Sequence, residues 1–135
     1  MLQINDRENT MIDTLDKIES FTIFQDGKET EINKENKKFN SIFLAVEEVF
    51  AKGQILPAFG VNLHDETLNA LKSDEWLQIN FKEEQIKNGL SFSALLFRLD
   101  NVYGVDLVRV NNNKYEGRCI HLNFFENLNL KNIIK

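Results

Sequence analysis

Three reactive residue types fall together in YEGRCIHLNFF, residues 115 to 125: Arg118, Cys119, which is the only cysteine of the chain, and His121, one of two histidines. A thiol two positions from an imidazole has the makings of a nucleophile with its base, or of half a metal site. Read as a strand, the stretch puts Ile120, Leu122 and Phe124 on one face and Cys119, His121 and Asn123 on the other. The α-carbons of Cys119 and His121 then lie about 7 Å apart, whereas a base must come within about 3 Å of the group it deprotonates. No glycine-rich oxyanion loop adjoins the cysteine, and its spacing matches no nucleophile turn. The expectation is a small side chain packed beside a neighbouring strand, with His121 partly exposed and no catalytic role. His64, Asp65, Cys119 and His121 are adequate zinc ligands by type, but no CxxC or HxxxH spacing preorganises them. No metal or cofactor is expected.

Arg98, Arg109 and Arg118 come from three successive apolar segments. If those segments pair in order, their guanidinium forks would converge on an anion such as a carboxylate or phosphate. Cross-strand pairing with Asp100, Asp106 or Glu116 is the structural alternative. Arg98, Arg109, Arg118, Cys119 and His121 are therefore the candidate ligand-binding residues. Trp76 falls on the polar face of WLQINF, either as an exposed anchor of an interaction surface or buried under a helix over residues 65–72. In His64-Asp65-Glu66 the two carboxylates suit a helix N-terminus as well as an acid/base cluster.

The elements that must position these groups follow from periodicity. Met11, Ile12, Leu15 and Ile18 predict a short amphipathic helix over residues 7–18. ESFTIFQ and KETEI flank Asp26-Gly27, a dipeptide suited to a type I′ turn, and predict a hairpin over 19–32. Phe39, Ile42, Phe43, Val46, Val49 and Phe50 mark a long helix over 34–52, capped by Asn33 and stopped at Gly53. Pro57 breaks any helix, and a short peripheral strand is expected after it. WLQINF, LSFSALLFRLD, VDLVRV and YEGRCIHLNF then read as four strands, with KEEQIKNG as a polar connector. The unbroken apolar run in LSFSALLF suggests a central strand covered on both faces. ENLNLKNIIK reads as a last helical turn or a frayed end.

These elements predict one α+β domain over residues 1–135. Its sheet is mixed but mostly antiparallel, a C-terminal four-strand meander plus an N-terminal hairpin, packed against one long amphipathic helix and shorter helices. Eleven phenylalanines and 42% hydrophobic residues supply the core. A net charge of −5 argues against nucleic acid, which calls for a concentrated positive surface. There is no basic-then-apolar leader and no run of eighteen apolar residues, so neither secretion nor a membrane span is expected. A lone cysteine fits the reducing cytoplasm. The Walker loop, GxGxxG, GxSxG, HExxH and CxxC are all absent.

The functional expectation is a cytoplasmic, noncatalytic module for protein interaction, regulation or inhibition, working through a protein partner or self-association. Its acidic N-terminal half suits a basic partner. The alternative is an anion-binding protein or small enzyme with a pocket between helix and sheet.

Overall fold

A strand whose residues are apolar one after another must be covered on both sides, and Leu95, Leu96 and Phe97 meet that description at 0–1% exposure. They belong to the strand on which the rest is assembled. The computed structural model of the chain describes residues 10–56, 75–87, 89–99, 105–112, 114–116 and 119–123. Among these residues there are eight strands: β1 (Ile18–Gln25), β2 (Lys28–Ile32), β3 (Gln54–Leu56), β4 (Trp76–Lys87), β5 (Leu90–Arg98), β6 (Val105–Asn111), β7 (Lys114–Tyr115) and β8 (Ile120–Asn123). They form one sheet in the order β2-β1-β4-β5-β6-β8-β3, with β7 also on β6. Every described pairing is antiparallel. One long helix, α1 (Lys37–Lys52), and one 3₁₀ turn (Ile12–Lys17) complete the described elements.

The hairpin is set by its turn. Asp26 and Gly27 take φ of 50° and 79°, the left-handed pair that joins twisted strands, and Gln25 pairs with Lys28 directly across them. Helix α1 turns Ile42, Val46, Val49 and Phe50 onto the sheet. They join Phe21, Ile23, Leu77, Ile79, Leu95, Phe97, Leu107 and Ile120 in the main core. Phe39 bridges the layers, its ring centroid 5.1 Å from Phe21 and 6.1 Å from Phe43. Burying one such ring is worth about 2 kcal/mol.

Several expectations are corrected. The helix starts at Lys37, not 34, because Asn36 is the cap, its side-chain oxygen accepting from the Lys38 N–H at 2.9 Å. Asn33 makes the same kind of bond to Glu35 one turn too early. Gly53 ends the helix in extended backbone and leads straight into β3, a short strand not expected from the sequence. Of the helix expected over 7–18, residues 7–9 lie outside the described residues, and the described part holds a 3₁₀ turn over Ile12–Lys17. Its Asp13 holds the largely buried Lys87 ammonium at 3.1 Å. KEEQIK is not a connector but the second half of β4. Five residue steps from Asn80 to Gln85 oppose two on β5, so the excess bulges out and pairing resumes at Gln85↔Phe92. YEGRCIHLNF is not one strand. Between Val110↔Tyr115 and Leu107↔Ile120 the chain spends five residues against three on β6, which splits it into β7 and β8. The expected sheet was mixed; the described pairings are all antiparallel. The expected helix over 65–72, the strand expected beyond Pro57, and the C-terminal residues lie outside the described residues.

Tyr115 has its phenol held above the ordinary value, first by burial and then by the Glu29 carboxylate. Glu29 is on β2 and Tyr115 on β7, five strand steps apart.

The cap assignment gives a direct check. Asn36→Ala should cost about 1 kcal/mol in urea unfolding, and Asn33→Ala clearly less. Equal losses would refute the assignment.

Candidate functional site

The candidate groups sit on both faces of the sheet, and alternation decides which. On the face turned to α1, β6 carries Val105 and Leu107 in the main core and then Arg109, which pairs with Leu95. Arg109 is buried, and its Nη1 donates to the Ser91 carbonyl at 2.7 Å. The Asn111 amide donates to the same oxygen at 2.9 Å. This arginine is built into the sheet's own polar network.

The opposite face carries a second, smaller core of Phe24, Trp76, Ala94, Leu96, Val108, Val110 and Cys119, with Tyr115 packed against it. Cys119 is 0% exposed. It packs among apolar side chains, out of reach of a reagent in solution. His121 lies on this face too, directly across from Asp106 in register, with Nδ1 2.5 Å from Oδ1. With the proton on Nδ1 the ring donates to the carboxylate, which fixes its tautomer and orientation.

Arg98 shares this second face. It pairs with Trp76 across β4 and β5, its guanidinium carbon 5.9 Å from the indole centroid, a cation–π geometry. Arg98 and Arg109 are therefore on opposite faces and do not converge. Arg118 lies outside the described residues, as do His64, Asp65 and Glu66. No group of three His, Cys, Asp or Glu side chains among the described residues is placed to hold a metal.

Trp76 takes the face that alternation assigns it, but it is buried, 5% exposed, and its indole Nε1–H has no acceptor among the described residues. A buried donor left unmatched costs about 1–3 kcal/mol. Farther along the same face, the Asn80 amide donates to the Ser20 and Thr22 hydroxyls at 3.1 and 3.0 Å, and the Gln78 amide donates to the Asn80 oxygen at 2.8 Å. The polar residues around Trp76 thus satisfy one another, which makes the indole an exception.

Two participants were not singled out from the sequence. Asp106 appeared only as a possible arginine partner, although the i,j pairing of VDLV with CIHL could have brought it to His121. Tyr115 carries no local signal, because its setting depends on a flank of the sheet distant in sequence.

The chain matches no known family model, no curated protein and no solved structure.

Two outcomes follow from the burial. The Cys119 thiol should react with Ellman's reagent only as fast as the protein unfolds; prompt stoichiometric reaction in native buffer would contradict its packing. Because the folded phenol of Tyr115 ionises above its unfolded value, the stability it contributes is complete below about pH 10. It should be lost as pH rises through the folded value. Melting curves between pH 8 and 11 should therefore fall more steeply for wild type than for Tyr115→Phe, and parallel curves would count against it.

Proposed function

We propose that this chain is a noncatalytic interaction module, acting in the cytosol, that accepts an extended basic segment of a partner protein along strand β2. The observation that carries this reading is the state of that edge. β2 ends the strand order, its residues Lys28, Glu29, Thr30 and Glu31 are exposed, and no described strand pairs with its outer side. The burial of Cys119 and the engagement of Arg109 support the noncatalytic part.

The hairpin geometry says which backbone groups a partner would meet. Gln25 and Lys28 flank a two-residue turn, so they exchange both hydrogen bonds, and bonded pairs alternate from there. Thr30 and Ile32 bond inward to β1, while Glu29 and Glu31 turn N–H and C=O outward. An incoming strand takes affinity from these main-chain groups and specificity from the side chains beside them. Those side chains are two glutamates, with Asp26 in the turn, and this part of the chain is net acidic: residues 1–50 carry six basic and eleven acidic residues. A basic strand is complementary. A second copy of this chain is not, since antiparallel pairing centred on Thr30 would set Glu29 of each copy against Glu31 of the other.

Fluorescein-labelled peptides of about ten residues, alternating Lys or Arg with Val or Thr, provide the probe by fluorescence anisotropy. Saturable binding that weakens with salt is expected, along with loss of about tenfold or more in Glu31→Pro. That substitution removes only an outward N–H, so the hairpin should persist by circular dichroism. Flat anisotropy for every basic peptide, or unchanged affinity in Glu31→Pro, would overturn the reading.

A further inference from the structure

From the second core we infer a site for a small apolar carboxylate, held by the indole N–H of Trp76 and the guanidinium of Arg98. This stands independently of the partner strand at β2. Trp76 is 95% buried by its 5% exposure, and its Nε1–H is the one buried side-chain donor among the described residues with no acceptor. Native interiors pair nearly every such group, so an isolated one marks a place where an acceptor belongs. The side chain directly across from it is not an acceptor. Arg98, its cross-strand partner, brings further donors and a permanent positive charge to the same indole.

An indole N–H that lacks an acceptor and a guanidinium over the same ring, 5.9 Å from its centroid, together suit an anionic group with two acceptor oxygens. Arginine has five N–H donors, so holding a carboxylate is compatible with its other contacts. Around Trp76 the surroundings are apolar: Phe24, Leu96 and Val108 pack in the same buried cluster. A ligand pocket typically combines such a lining with a few fixed polar groups, and here the body of the ligand would be a short alkyl chain or an aryl ring. A phosphate or sulfate, charged all round, would forfeit that lining.

Trp76 is the only tryptophan of the chain, so intrinsic fluorescence reports on this position alone. The test is a titration of the full chain with straight-chain carboxylates from hexanoate to dodecanoate and with benzoate and naphthoate, following indole emission and melting temperature. At least one should give a saturable emission change and a rise in melting temperature. Its methyl ester should bind about tenfold more weakly, and so should the acid in Arg98→Gln. In Trp76→Phe, read by melting temperature, the ring is kept and the donor lost, and the stabilisation should shrink. If no carboxylate moves either signal, or if acid and ester bind Arg98→Gln and wild type alike, the site is refuted. Inorganic phosphate matching the best carboxylate would also overturn the assignment, by showing that charge alone is read.

Discussion

Burial on both faces is the constraint from which the molecule's arrangement follows. Leu95 and Phe97 point to α1 while Leu96, between them, points the other way, and all three are shut from water. Once β5 is sealed on both sides, any polar group on its neighbours must find a partner inside the protein or carry the cost of desolvation. Arg109 finds the Ser91 carbonyl, Asn80 finds two hydroxyls, and His121 finds Asp106. The same seal buries Cys119 among Leu96, Val108 and Val110.

How much of this can be read from the chain depends on how local its cause is. The hairpin is legible because Asp26-Gly27 alone selects the turn. The face of α1 is legible because six apolar residues at intervals of three and four leave no second solution. The cap is less so. Asn33 and Asn36 each accept from the backbone two residues on, and only where the helix meets the sheet decides which one starts it. KEEQIK has the composition of a loop and became strand because β5 was there to pair with it. The split of YEGRCIHLNF into two strands comes from two surplus residues that only the register against β6 exposes. At the candidate site, alternation correctly separated Cys119 and His121 from Ile120 and Leu122. It could not say that the face opposite the main core would also be buried, because that depends on residues far along the chain. Trp76 shows the limit most clearly: its face was legible, its burial was not.

The strand order also fixes where the sheet has a bare edge among the described strands. A sheet that bends far enough can close on itself and eliminate its edges. Here the Glu29 carboxylate helps, after burial, to raise the Tyr115 phenol, yet β2 and β7 do not pair. Strand length offers one reason. β7 is two residues long, against five in β2, and leaves little ladder with which to close. Charge offers another: a strand joined to β2 from that side would bring the Tyr115 phenol still closer to the Glu29 carboxylate. What remains is an edge with its outward main-chain groups at Glu29 and Glu31, to which no described strand pairs. Such an edge resists indiscriminate strand addition. A complementary basic strand, the occupant proposed above, would gain both backbone hydrogen bonds and charge neutralisation there.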